Sequence, residues 1–102
     1  MNKVILMGRL TKDPEIKEAK SGAYARYTLA VPRTYQREET DFLNCIVFGK
    51  GADFANQYLK KGTKIVIEGR IQTGSYTNRD GQKVYTTDVI VDNQEFAESK
   101  NA

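Results

Sequence analysis

The chain has 102 residues, with 16 basic and 13 acidic side chains, a net charge of +3 and a pI of about 9.0. A chain of this length supports one domain with one core, and its mild positive charge is compatible with phosphate binding without being diagnostic of it. The sequence contains no histidine and one cysteine, which excludes the commonest general base, the commonest metal ligand and a zinc site built from cysteines. We therefore expect a protein that is not an enzyme and that needs no cofactor or metal.

The cysteine and the N-terminal residues indicate the compartment. Cys45 lies in an apolar stretch, where a free thiol behaves as a small buried hydrophobe, and a lone cysteine fits a reducing environment. The N-terminal segment lacks the apolar core of a signal peptide, and no apolar run approaches the roughly 18–20 residues of a membrane span. We expect a cytoplasmic protein without a membrane partner.

Strand signals dominate the first half of the chain. Residues 4–10 are apolar and β-branched and are followed by the turn pair Asp13-Pro14. Residues 23–31 alternate between two faces after the turn pair Ser21-Gly22. A polar loop then leads to a third alternating strand over residues 42–48. The first half therefore predicts three strands.

The period of the apolar residues changes after the third strand. Four apolar side chains recur at helical spacing and predict a helix over residues 52–61, with Gly62 at the C′ position. Residues 64–72 return to strict alternation, residues 78–81 carry hairpin-turn chemistry, and residues 84–91 form the last predicted strand.

This order of elements predicts an all-β fold. Five strands with one α-helix between the third and fourth (β-β-β-α-β-β) is the plan of the OB-fold, a five-stranded, partly open barrel. Its second and third strands, with the loops that join strands 1–2 and 4–5, form the usual oligonucleotide face. We expect the domain to span residues 1–93, followed by a short, flexible C-terminal tail over residues 94–102.

Aromatic side chains are concentrated in the segments that would form this face. Phe42 and Phe48 share one side of the third strand, although alternation alone leaves open whether that side is the core or the surface. Tyr35 lies in the preceding loop and Tyr76 lies near the hairpin tip, where a ring has less core to join. We predict that these four rings stack on bases of a single strand, each contributing about 1–3 kcal/mol.

Several cations are predicted near the same groove, although each alone would more often be a solvated surface charge. They are Arg33, Arg37, Lys50, Lys61, Arg70 and Arg79. Together they predict phosphate binding that is independent of sequence and sensitive to salt. A protein-interaction OB module, with the aromatic rings in its interface, is the alternative, and it predicts little DNA affinity and no salt dependence. RNA binding also stays open, because stacking and phosphate contacts do not read the 2′-hydroxyl.

Several segments, in the same order, resemble bacterial single-stranded DNA-binding proteins. The matching segments are residues 2–15 (NKVILMGRLTKDPE), 48–50 (FGK), 58–62 (YLKKG), 67–73 (IEGRIQT) and 85–89 (YTTDV). The resemblance covers nearly the whole domain and implies an OB-fold homotetramer that wraps single-stranded DNA. It also implies that the protein protects this DNA during replication, recombination and repair.

The resemblance implies roles for individual residues. The family's stacking aromatics fall on the same four rings, Tyr35, Phe42, Phe48 and Tyr76. The resemblance also implies contacts with the DNA backbone by Lys3, Arg9, Lys50 and Lys61. It implies that two subunits pair their first strands around residues 3–9 to form a dimer, and that two dimers form the tetramer. A primosome-type OB relative, which acts mainly through other replication proteins and usually as a dimer, is a close alternative that the number of subunits would distinguish.

The C-terminal residues depart from the pattern of the family. Cellular members usually continue through a flexible linker to an acidic tip that recruits replication and repair enzymes. Here Glu95, Phe96 and Glu98 are followed by four residues. The chain is either the DNA-binding core of a longer protein or a naturally short phage-borne or accessory paralogue. We expect such enzymes as partners only where a longer chain carries the acidic tail.

Overall fold

The computed structural model describes residues 1–36 and 38–98. Its elements are β1 (Val4–Leu10), β2 (Glu15–Ala19), β3 (Gly22–Pro32), β4 (Thr40–Phe48), α1 (Lys50–Tyr58), β5 (Lys64–Thr77) and β6 (Lys83–Phe96). The sheet order is β1-β5-β6-β4-β3-β2, and an additional pairing of β1 with β3 closes β1, β5, β6, β4 and β3 into a ring. This closed ring of five strands, with the helix after the third of them in chain order, confirms the predicted all-β OB-fold.

The ring is closed by short pairings at two places. Arg9 and Leu10 of β1 pair with Ala30 and Leu29 of β3. On the other side of the barrel β4 and β6 run parallel, and Cys45 pairs with Val89 while Ile46 pairs with Ile90. The long antiparallel pairs β3–β4 and β5–β6 form the two main parts of the barrel.

The short strand β2 was not predicted. It pairs with β3 in a hairpin, with Glu15 opposite Arg26 and Ala19 opposite Gly22. All five of its residues are exposed, so it has no buried face that an apolar alternation could reveal. Its strand conformation follows from pairing at the edge of the sheet.

The predicted end of the helix is wrong. The helix ends at Tyr58, and Leu59 follows it in an extended conformation (φ −98°, ψ 142°) with only 5% of its surface exposed. Burial of Leu59 in the core therefore takes the chain out of the helix before Lys60. Gly62 has a φ of 88° in the following turn, rather than at a helix C′ position, and its N–H donates to the Leu10 carbonyl at 2.8 Å.

The last strand extends beyond its predicted end at Val91. It continues to Phe96, whose ring lies 5.6 Å from that of Phe54 (centroid to centroid) on the helix. The domain boundary predicted at residue 93 therefore falls inside β6, and the last four residues of the predicted tail, 99–102, lie outside the described residues.

The core lies inside the barrel and under the helix. Alternate residues of the five ring strands fill it, and its fully buried members include Leu29, Cys45, Ile65 and Ile67. Burial raises the pKa of the Cys45 thiol to about 12, so the thiol is protonated at neutral pH. In the described part of the chain, no helix is long and apolar enough to cross a membrane.

Candidate nucleic-acid interface

The register of β4 places two phenylalanine rings on the outside of the barrel. Cys45 and Val47 point into the core, with 0% and 3% of their surfaces exposed. Phe42 and Phe48 belong to the opposite side of the strand and are 65% and 51% exposed. They lie about 20 Å apart along the strand, given a rise of about 3.4 Å per residue. The side of β4 that sequence alternation could not assign is therefore the surface.

This outer side continues across β6 onto the long hairpin formed by β5 and β6. Ile46 is paired with Ile90, Ile90 with Arg70, and further along the hairpin Val84 with Tyr76. Because paired residues point to the same side of a sheet, these side chains share the side that carries the two phenylalanines. We call this surface of β3, β4, β6 and β5 the outer face.

Tyr76 belongs to the outer face, and a second tyrosine of the hairpin does not. Tyr76 is 58% exposed, near the hairpin tip. Tyr85 is 75% exposed but is paired with Ser75, one position out of phase with Tyr76, so it points to the other side of the hairpin. The Lys83 ammonium lies 5.4 Å from the centre of the Tyr85 ring, a cation–π contact that the sequence analysis missed.

Tyr35 lies in the loop between β3 and β4 and is 96% exposed. This loop leaves the sheet at the end of β4 that carries Phe42, because Pro32 is paired with Thr40. The structure therefore brings Tyr35 to the Phe42 end of the outer face. Arg37, which was predicted in the same loop, lies outside the described residues.

Arg33 is engaged by acidic and polar neighbours. Its guanidinium donates hydrogen bonds of 3.0–3.2 Å to the Asp41 carboxylate and one of 3.1 Å to Gln36 Oε1. The hydrogen bonds between Arg33 and Asp41 raise the pKa of Arg33 and lower the pKa of Asp41. Both side chains are solvent-exposed, so the pair can exchange with another anion.

Lys3 and Arg9 are held by carboxylates on a different part of the barrel. Lys3 Nζ lies 3.4 Å from Glu68 Oε2, and Arg9 Nη1 lies 3.0 Å from Glu98 Oε1 and donates to the Gly62 carbonyl at 2.9 Å. Both lie in the β1 region. In the ring of strands, β3 lies between β1 and β4 on one side, and β5 and β6 lie between them on the other side. The structure does not bring these two cations beside the phenylalanines.

Lys50 follows Phe48 closely because the chain turns sharply at Gly49. Gly49 has a φ of 61°, a left-handed conformation that favours glycine, and helix α1 starts at the next residue. Phe48 and Lys50 both line a cavity of about 280 Å³ between the helix and β6. The exposed Lys50 ammonium has no ion-pair or hydrogen-bond partner within the described ranges.

The other predicted cations are distributed along the hairpin and the helix–strand connection. Arg70 lies on the outer face, and Arg79 lies in the tip turn. Both side chains are free of ion pairs in the described part of the chain. Lys61 lies in the connection between α1 and β5, where its backbone N–H donates to Asp13 Oδ1 at 2.8 Å.

Two residues of β3 that the sequence analysis left out of the site lie on the outer face. Tyr24 is paired with Phe48, and Arg26 with Ile46. Alternation along β3 places Tyr24 and Arg26 on one side of the strand. Which residues of β4 lie opposite Tyr24 and Arg26 depends on the register between the two strands, and the sequence does not reveal this register.

Comparison with known proteins adds a second line of evidence. Residues 1–97 match the single-strand binding protein family. The single-stranded DNA-binding protein of Clostridium perfringens (strain 13 / Type A) is 52% identical over 103 residues, which cover 99% of this chain and 69% of the relative. That of Staphylococcus aureus (strain N315) is 48% identical over 107 residues, which cover 100% of this chain and 69% of the relative. The chain therefore belongs to the single-strand binding protein family.

Proposed function

We propose that this protein binds single-stranded DNA without sequence specificity, by stacking bases on Tyr35, Phe42, Phe48 and Tyr76. The observation that carries the proposal is the exposure of three of these rings on one continuous sheet face. Every base has a π-face, so aromatic rings on a surface bind single strands independently of sequence. The names of the relatives from C. perfringens and S. aureus, single-stranded DNA-binding proteins, support the same ligand.

The phosphates are held by lysine and arginine side chains, some of them around these rings and two of them on or next to β1. Lys50 beside Phe48, Arg70 on the outer face, Arg79 at the hairpin tip and Lys61 at the helix–strand connection are exposed and available. Arg33 would exchange its carboxylate partner for a phosphate, as would Lys3 and Arg9 on β1. Arg37 belongs to the proposed set on sequence grounds. Neutralisation of phosphates by these side chains releases the counterions of the DNA, which makes binding sensitive to salt.

The biological role that follows is protection of single-stranded DNA during replication, recombination and repair. Binding alone accounts for this role, and no bond is made or broken. We place the protein in the cytoplasm, where such DNA arises in a bacterial cell.

We further propose that the subunits assemble as a homotetramer, a dimer of dimers in which pairing of the first strands forms each dimer. Ile5 and Met7 lie on the same side of β1 and are 65% and 50% exposed, so they form an apolar patch of the kind that marks a protein–protein contact. The pairing of β1 with β3 involves Arg9 and Leu10, and Gly8 packs against Ala30 and Val31 of β3, so from Val4 to Met7 the edge of β1 opposite β5 is available to a second copy. The resemblance in residues 3–9 supports pairing of first strands.

The experiment that tests DNA binding is a titration of the folded protein with an oligo-dT, at two salt concentrations. The chain contains six tyrosines and no tryptophan, so its intrinsic fluorescence reports on tyrosine stacking. Quenching together with tight, salt-weakened binding is the expected result. Absence of binding at low salt would overturn the proposal.

A further inference from the structure

Tyr24 and Phe48 form a pair of rings that spans two strands. They lie directly opposite each other in the antiparallel register of β3 and β4. Their centroids are 5.8 Å apart and their planes are tilted by 43°. Phe48 is half exposed and Tyr24 is partly buried, so the pair presents a surface that is wider than one ring and open to solvent.

Arg26 lies beside this pair on the same side of β3. It is exposed and lies opposite Ile46 on β4 and opposite Glu15 on β2, whose carboxylate is 3.6 Å from Lys17 Nζ. In the described part of the chain, its guanidinium has no ion-pair or hydrogen-bond partner. Tyr24 and Arg26 are two positions apart on the strand, a separation of about 7 Å along β3.

A polar groove continues the surface past Arg26. It has a volume of about 360 Å³ and is lined by Arg26, Thr28 and Asn44, by Glu15 and Lys17 of β2, and by residues of the β1–β2 loop that include Lys12 and Asp13. The Thr28 hydroxyl donates to Asn44 Oδ1 at 3.1 Å, so the Asn44 N–H groups are left to donate to a ligand. Such a lining suits the polar edge or backbone of a nucleotide better than an apolar group.

We propose that Tyr24 and Arg26 extend the nucleic-acid interface from β4 onto β3. Tyr24 stacks on the base next to the one held by Phe48, and Arg26 binds a phosphate of the same segment. The inference rests on the proposed function and adds two contact residues to it, so that a strand lying across the outer face is held by β3 as well as β4.

The test measures binding of a labelled oligo-dT by fluorescence anisotropy over a series of salt concentrations. Tyr24→Leu is expected to weaken binding about tenfold, within the range for one stacked base, and Tyr24→Phe is expected to preserve it. Arg26→Gln is expected to weaken binding and to reduce the slope of log K against log salt by about 1. Lys60→Gln, which removes a charge beyond the helix, is the charge-matched control and should leave the slope unchanged.

A second pair of variants separates direct contact from support of Phe48. If Tyr24 contacts a base itself, Tyr24→Leu will also weaken binding in a Phe48→Leu background. No further loss there would show that Tyr24 acts only by supporting the Phe48 ring, and would overturn its role as a contact.

The remaining outcomes distinguish this inference from the proposed function. Unchanged affinity for Tyr24→Leu and an unchanged slope for Arg26→Gln would overturn the inference, while a loss for Phe48→Leu would leave the proposed function standing. A wild-type protein that does not bind would overturn both. Should Tyr24→Leu fail to fold, the slope measured for Arg26→Gln decides whether β3 belongs to the interface.

Discussion

Phe42 and Phe48 leave 65% and 51% of their surfaces in water, on a strand whose intervening side chains, Cys45 and Val47, are buried. Because hydrophobic stabilisation scales with the apolar area buried on folding, at about 25 cal/mol per Å², the exposed part of each ring adds little to the stability of the monomer. The same exposed apolar area is buried when a base stacks on the ring. On this strand, folding and binding therefore depend on different residues.

Phe42→Ala is expected to weaken binding of an oligo-dT by about 1–3 kcal/mol, the range for loss of one stacked base. The midpoint of thermal unfolding should change little, because most of the ring is exposed. Tyr85→Ala is the matched control, since Tyr85 is at least as exposed and points to the other side of the hairpin. Equal losses of affinity for the two variants would contradict the assignment of the outer face.

The ion pair between Arg33 and Asp41 predicts a titration. The hydrogen bond from Arg33 lowers the pKa of Asp41, so the carboxylate stays ionised below the usual range of an aspartate, and the pair is lost only as the pH falls through that lowered pKa. Arg33→Gln should return the pKa of Asp41 toward its ordinary value, as measured by NMR of the carboxyl carbon. Lys3→Gln, which removes a cation beside Glu68, should not change it. An Asp41 titration unaffected by Arg33→Gln would refute the pairing in solution.

The β5–β6 hairpin extends beyond the barrel, and the Asn2 side chain holds it at its base. The pairing of β1 with β5 ends where Val4 meets Gly69. Asn2 extends it, because its Nδ2 donates to the Ile71 carbonyl at 2.7 Å and its Oδ1 accepts from the Ile71 N–H at 2.9 Å. Beyond this point the hairpin that carries Tyr76 depends on its own two strands.

Asn2→Ala is expected to loosen the base of the hairpin. Both hydrogen bonds to Ile71 would be lost, and the Ile71 amide should exchange faster with solvent. Asn2→Asp keeps the acceptor for the Ile71 N–H and removes the donor, so its effect should be intermediate. Measurement of amide exchange by NMR checks the order of the three proteins, and equal rates would show that the hairpin is held elsewhere.

The end of β6 connects the core to the start of the helix. The Tyr27 hydroxyl, within the barrel, donates to Gln94 Oε1 at 2.7 Å, and Gln94 Nε2 donates to the Gly51 carbonyl at 3.0 Å. Burial raises the pKa of Tyr27, so this hydroxyl keeps its proton and needs an acceptor. Gln94 therefore fixes the first turn of the helix, where Lys50 lies.

Gln94→Ala is expected to lower the free energy of unfolding by about 1–3 kcal/mol, the usual cost of leaving a buried polar group unsatisfied. A chain shortened to residues 1–93 should lose more, because it also lacks the pairing of Phe96 with Ile65. Urea unfolding of the three proteins checks this order. A shortened chain as stable as the full one would show that the domain does end at residue 93.

Assembly of the subunits can be tested by changing the exposed apolar side chains of β1, Ile5 and Met7. Ile5→Lys combined with Met7→Lys should prevent tetramer formation, since like charges would face each other across a pair of first strands. Ile16→Lys, on the exposed strand β2, is the control and should keep the mass of the wild type. Light scattering after gel filtration gives the mass, and a tetramer that persists in the double variant would contradict assembly through β1.

Features that depend on local side-chain pattern could be predicted from the sequence, whereas features that depend on contacts between distant segments could not. Alternation in β3 and β4 depends on local side-chain pattern, so the sharing of one side by Phe42 and Phe48 followed directly from the sequence. Whether that side faces solvent depends on barrel closure, and the position of Tyr24 beside Phe48 depends on strand register. β2 lacks any apolar pattern, and the helix end at Tyr58 is set by burial of Leu59. These features come from contacts between distant segments.

The two short pairings that close the barrel divide it into halves, and the outer face extends across one of the junctions. Phe42 and Phe48 belong to the β3–β4 half, whereas Arg70 and Tyr76 belong to the β5–β6 half, and Ile46 with Ile90 marks the boundary. A strand of DNA in contact with both halves would hold them together across this boundary. Opening of the barrel between β4 and β6 would then become rarer with DNA bound, and the amides near Cys45 and Val89 would report it through slower hydrogen exchange.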